Sequence, residues 1–110
     1  MPERTVTANV EIVNPHGLHL RPADMFARTV MRFKSKVTVT FDGQQVDGRS
    51  IVELLMLAAR QGSQLTISAC GDDAVATLAE LVQLIERGFD EPEEKEEKEK
   101  EKEKEKEKDQ

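Results

Sequence analysis

Residues 5–13 alternate, with Val6, Ala8, Val10 and Ile12 on one side and Thr7, Asn9 and Glu11 on the other. A period of two predicts a half-buried strand. From Leu20 the period becomes helical: Ala23, Phe26, Ala27, Val30 and Met31 recur, with Asp24, Arg28 and Arg32 between them. Alternation returns over Lys36–Phe41, Asp42–Gly43 is a hairpin turn signal, and Gln44–Asp47 reads as a short return strand. Residues 51–60 predict a short helix. Ser50 is its N-cap, Glu53 completes a capping box, and Gly62 ends it. Gln64–Cys70 alternates again, with Leu65, Ile67 and Ala69 on one face. After Gly71–Asp72–Asp73, the stripe Val75, Leu78, Leu81, Val82 and Ile85 predicts the clearest amphipathic helix, which Gly88 ends.

The order is therefore β-α-β-β-α-β-α. Each strand has one apolar face and one polar face. This predicts an α+β fold in which a four-stranded antiparallel sheet is open to water on one face and carries three helices on the other, an open-faced sandwich. Doubly wound parallel sheets need strands apolar on both faces, which these are not.

Between the first strand and the first helix lies Asn14–Pro15–His16–Gly17, a loop signal. Pro22 suits a first helical turn, where its missing N–H costs nothing. The helix then begins at about His19 or Leu20, which puts His19 at its N-terminal end. A helix N-terminus offers unpaired N–H groups and a partial positive charge, and so attracts anions. That positive end also favours the neutral imidazole, the form able to attack phosphorus. Arg21 adds a fork of donors matched to phosphate oxygens, and Gly17 permits close backbone approach. A nucleophile, an oxyanion cradle and a charge clamp are what phosphoryl transfer asks of a protein. Simple capping would also account for a His, an Arg and a Pro at a helix start.

The 110 residues divide by composition. Residues 1–90, expected to form the domain, carry 9 Lys+Arg and 11 Asp+Glu; residues 91–110 carry 7 Lys and 11 Asp+Glu. The foldable part is nearly neutral, which gives no footprint for nucleic acid. The rest is a Glu/Lys-rich, low-complexity stretch without an apolar residue, read as a flexible solubilising tail. The single cysteine, Cys70, can make neither an intrachain disulfide nor a cysteine-based zinc site and reads as a small hydrophobe. His16 and His19 alone are a weak metal pair, so no metal and no cofactor are expected. The N-terminus has no apolar signal region and the longest apolar run, 54–59, cannot span a bilayer. The chain reads as a cytoplasmic monomer without membrane insertion.

Gly17–Leu18–His19–Leu20–Arg21–Pro22–Ala23 resembles the active-site motif of HPr, the histidine-containing phosphocarrier family of the bacterial phosphotransferase system (PTS). The stretch 48–59 (GRSIVELLMLAA) is similar to the family's second motif, and 62–71 (GSQLTISACG) to its fourth strand and following turn. The resemblance runs from about residue 4 to 88 and implies a carrier without turnover of its own. In that reading His19 accepts a phosphoryl group on Nδ1 from phosphorylated Enzyme I. Backbone N–H groups near Leu20 and Arg21 hold its oxygens, Arg21 pairs with its charge, and it passes to the A component of a PTS enzyme II. The resemblance also implies regulatory phosphorylation of Ser50 by an HPr kinase/phosphorylase; on its residues alone, Ser50 is only an N-cap. Leu20, Ile51, Val52 and Leu55 form the expected apolar partner surface, while Leu54, Met56, Leu57 and Ala58 would pack on the sheet. Leu20 departs from the small or hydroxyl residue many relatives carry there, and His16 is an unusual second imidazole. Two alternatives keep the fold: a regulatory paralogue of the nitrogen-related PTS, and an adaptor that carries no phosphate.

Overall fold

A computed structural model describes residues 4–91. Its four strands, β1 (Thr5–Glu11), β2 (Lys36–Phe41), β3 (Gln44–Asp47) and β4 (Gln64–Cys70), form one antiparallel sheet in the order β1-β4-β2-β3. The fourth strand thus enters between the first two. It places both neighbours in one register: Val6 and Val37 stand opposite Ala69, and Ala8 and Val39 stand opposite Ile67. Val39 in turn pairs with Val46. These rows are the apolar positions of the alternation, and they make the face that meets the helices. The other face stays polar, with the Thr66 hydroxyl donating to Asn9 Oδ1 at 2.8 Å and Gln64 Nε2 to Glu11 Oε1 at 3.1 Å.

Helices α1 (Leu20–Met31), α2 (Ile51–Met56) and α3 (Ala74–Glu86) cover the apolar face, and a short 3-10 turn, Gly88–Asp90, follows α3. Phe26, Val30, Leu54, Leu81, Ile85 and Phe89 are buried against Ile12, Val37, Val39, Leu65 and Ile67. Each such side chain contributes roughly 1.5–3 kcal/mol through burial. Among the described residues no helix is long and apolar enough to cross a membrane. The expected tail lies outside the described residues except for Glu91.

The structure departs from the sequence pattern in four places. Pairing of β1 persists past Glu11 only through Ile12, which bonds Ser63 O and Gly62 N–H, and Val13 then turns outward. Helix α2 stops at Met56 instead of residue 60. Leu57 and Ala58 close it with tight bonds to the Leu54 and Leu55 carbonyls, and Ala58 takes a left-handed φ of 51°. That turn delivers buried Ala59 to the loop before α1, where its carbonyl accepts the Leu18 N–H. Met31, counted in the apolar stripe of α1, is exposed. The buried stripe of α3 is Ala74, Thr77, Leu81, Leu84 and Ile85, leaving Val75 exposed and Val82 half-buried. Thr77 tolerates burial because its hydroxyl donates to the Asp73 carbonyl at 2.7 Å.

Asp73 stands at the N-cap position of α3 but makes no side-chain cap bond there. Its carboxylate accepts the Ser35 hydroxyl and the N–H groups of Lys34 (2.8 Å) and Ser35 (2.9 Å), which ties the loop after α1 to the start of α3. Those donors, the Ser35 hydroxyl foremost and then the Lys34 N–H, hold its carboxyl below the usual aspartate value.

Candidate functional site

The loop into α1 is fixed from below. Gly17 has φ of +66°, and a Cβ there would lie 2.5 Å from the Ala59 carbonyl oxygen. The Leu18 N–H donates to that same oxygen at 2.9 Å, and the Leu18 side chain is buried. The chain therefore crosses close over the end of α2 and delivers His19 as the N-cap of α1, in extended conformation. His19 O accepts the Ala23 N–H at 2.9 Å. As the first two helical residues, Leu20 and Arg21 have N–H groups without an intrahelical acceptor, and Pro22 after them has no N–H to satisfy. No acidic residue stands in that turn. Two donors and the positive helix end lie directly beside an imidazole that is 41% exposed.

Three further side chains converge on the same place. His19 Nε2 is hydrogen-bonded to Glu91 Oε1, and Glu91 is only 6% exposed. Asn14, buried, donates from Nδ2 to Glu91 Oε2 at 3.0 Å and to Gly17 O at 2.7 Å. Arg21 Nη1 donates to Phe89 O at 3.1 Å and stands 3.7 Å from Glu91 Oε1. Asn14 Oδ1 is buried with no hydrogen-bond partner among the described residues. Such a group costs about 1–3 kcal/mol, a stability loss accepted for the position of its amide. The His16 ring meets His19 edge-on, with centroids 5.8 Å apart. Among the described residues no group of three or more His, Cys, Asp or Glu side chains is arranged to hold a metal ion.

Ser50 caps α2. Its Oγ accepts the Glu53 N–H at 3.1 Å, but its own N–H bonds the Asp47 carbonyl, so only half of the expected capping box forms. Ile51, the next residue, lines a shallow depression together with His19, Leu20, Arg21 and Asp24. The His19 and Ser50 neighbourhoods thus share one surface. Of the expected apolar rim, Leu20 and Val52 are exposed, at 63% and 68%, while Ile51 and Leu55 are half-buried against the core. Met56, assigned to the buried face together with Leu54, Leu57 and Ala58, is exposed, as is Ala58. At about 3.6 residues per turn Met56 stands about 200° around the helix from Leu54, so it faces away from the core that Leu54 and Leu57 enter.

Residues 6–87 match the family model described as the PTS HPr component phosphorylation site. The chain belongs to the PTS HPr family. The phosphocarrier protein HPr of Haemophilus influenzae is 43% identical over 77 residues, covering 70% of this chain and 91% of the relative. The phosphocarrier protein HPr of Neisseria meningitidis serogroup A is 39% identical over 85 residues, 77% of this chain and 96% of the relative. The fold matches the crystal structure of HPr-C-His from Thermoanaerobacter tengcongensis with a TM-score of 0.76 and 38% identity, over 79% of this chain and 98% of that one. The four-stranded antiparallel sheet with three helices is the HPr fold, and a phosphocarrier role in the PTS comes with it.

The structure brings His19 and Arg21, which the sequence singles out, together with Asn14 and Glu91, which it does not. Asn14 read as a loop former and Glu91 as the first residue of an acidic run. One signal was available. Phe89, alone beyond the helix-ending Gly88, is a large apolar residue with no stripe to belong to, and it anchors the turn that carries Glu91 inward.

Proposed function

We propose that this chain is a relay protein of the PTS that accepts a phosphoryl group on His19 and hands it on, without turnover of its own. The observation that carries this reading is the cradle at the start of α1: an accessible imidazole beside the Leu20 and Arg21 N–H groups, with no acidic residue in the first turn. The bound phosphoryl group accepts from those two N–H groups, and the Arg21 guanidinium swings from the Phe89 carbonyl to its oxygens. The protein's contribution is placement and charge, as the reaction requires.

The phosphoryl donor in this reading is phosphorylated Enzyme I, charged from phosphoenolpyruvate, and the acceptor is the A component of a PTS enzyme II, all in the cytoplasm. The exposed Leu20, Val52 and Met56, with Ile51 and Leu55 behind them, give a small apolar rim suited to brief contact between monomers and partners. Ser50 is the regulatory site, addressed by an HPr kinase/phosphorylase. A phosphate there adds about −1.5 to −2 charges beside the depression that Ile51 shares with His19.

The test is transfer from phosphoenolpyruvate through Enzyme I. Wild-type chain is expected to take up acid-labile label at one group per chain, and folded His19→Ala none. A folded His19→Ala that still labels fully would sink the assignment; so would unlabelled wild type with an active cognate Enzyme I.

A further inference from the structure

We propose that Glu91 is the positioning residue of the nucleophile: its carboxylate keeps the imidazole proton on Nε2 and leaves Nδ1 as the nitrogen with the lone pair. The inference deepens the reading of His19 as phosphoryl acceptor and rests on it. An ionised carboxylate can only accept hydrogen bonds. The His19 nitrogen facing Glu91 Oε1 is Nε2, so Nε2 is the donor. A neutral imidazole has a single N–H, and Nδ1 is then bare.

Glu91 is itself held in place. Oε2 takes one Asn14 N–H, and the other goes to Gly17 O, so both amide donors are spent. Rotating the Asn14 amide by half a turn would aim its oxygen at two acceptors, which fixes its orientation. The guanidinium of Arg21, 3.7 Å from Oε1, supplies the opposing charge. The backbone is shaped for the task as well. Phe89 is fully buried, and Phe89 and Asp90 both take left-handed φ values, 56° and 57°. Two consecutive non-glycine residues in that region are uncommon, and here they turn the chain back across the start of α1.

The consequence for transfer is a step without proton loss. The Nδ1 lone pair forms the new N–P bond while the bond from the donor atom of Enzyme I to phosphorus breaks and its electron pair returns to that atom. No proton leaves His19, since Nδ1 carries none. The ring becomes cationic, and its Nε2–H stays on the Glu91 carboxylate, which offsets that charge. A carboxylate orienting a catalytic imidazole and stabilising its cation does the same in hydrolytic triads.

The test reads the ring first and the chemistry second. In uniformly nitrogen-15-labelled, unphosphorylated full-length chain, His19 is expected to show a protonated Nε2, a bare Nδ1 and an observable hydrogen-bonded Nε2–H signal. In Glu91→Ala that signal disappears, and the rate of phosphoryl acceptance from phosphorylated Enzyme I falls about tenfold, the lower end of the effect of removing a partner that orients a histidine. Glu91→Gln keeps an acceptor oxygen and is expected to retain the Nε2–H signal and recover part of the rate. It also serves as the readout if Glu91→Ala fails to fold. A proton on Nδ1 in the wild type, an unchanged ring signature in Glu91→Ala, or a lost signature with an unchanged rate would each overturn the proposal. A Glu91-dependent signature in a wild type that takes up no label would uphold the placement of the ring and overturn the carrier reading, so the two failures are distinguishable.

Discussion

At the scale of single residues the site depends on a backbone oxygen. Ala59 O accepts the Leu18 N–H at 2.9 Å and leaves no space for a Cβ on Gly17. Gly17→Ala would meet this contact and a left-handed φ together. It is expected to destabilise the fold by about 1–3 kcal/mol, seen as a lower urea midpoint with unchanged slope. Phosphoryl acceptance at His19 is expected to fall alongside, because His19 is only two residues beyond the contact. The placement of Gly17, His19 and Arg21 at the start of α1 was legible in the sequence because it is set within seven consecutive residues. Glu91 was not. It is 72 positions from His19, and one glutamate at the head of a run of glutamates has no local mark. Only the fold distinguishes a carboxylate that is 6% exposed from its neighbours.

At the scale of elements, strands and helices were read correctly wherever a local period sufficed, and the ends were misplaced wherever a distant contact decided them. Helix α2 shows the difference. Its start follows from Ser50, which caps it locally. Its end follows from Ala59, whose carbonyl is wanted by Leu18 forty-one positions away. The face of α3 is a similar case, since Thr77 is buried only because Asp73 satisfies it. Asp73 also clamps the α1–β2 connection, and a carboxyl held below its ordinary value stabilises the fold with a definite sign. The contribution is fully present above the unfolded-state value and is lost as pH falls through the folded-state value. Asp73→Asn is therefore expected to be less stable than wild type at neutral pH. The gap between the two should narrow on acidification below the ordinary carboxylate range. Urea midpoints measured against pH check this; a gap that is constant with pH would mean that charge at Asp73 contributes nothing.

At the scale of the whole molecule, the Glu/Lys stretch begins at Glu91, and the expected functional boundary follows from where that side chain goes. Chain removed beyond Glu94 is expected to leave phosphoryl acceptance nearly unchanged. Ending the chain at Asp90 is expected to reduce it as far as Glu91→Ala does. Comparing both truncations with full-length chain in the Enzyme I assay checks the boundary, and a large loss in the chain ending at Glu94 would make the Glu/Lys stretch a docking element. The pairing of Asn14 with Glu91 across 77 positions has one more consequence, which concerns synthesis. A ribosome makes the chain from the N-terminus, so His19 leaves it long before residues 89–91 exist. Until Phe89 seats in the core and Glu91 swings onto the imidazole, a nascent chain presents the His19 motif without its finished surroundings. The surroundings of His19 are thus completed only after the C-terminal turn has been made, later than every strand and helix of the fold.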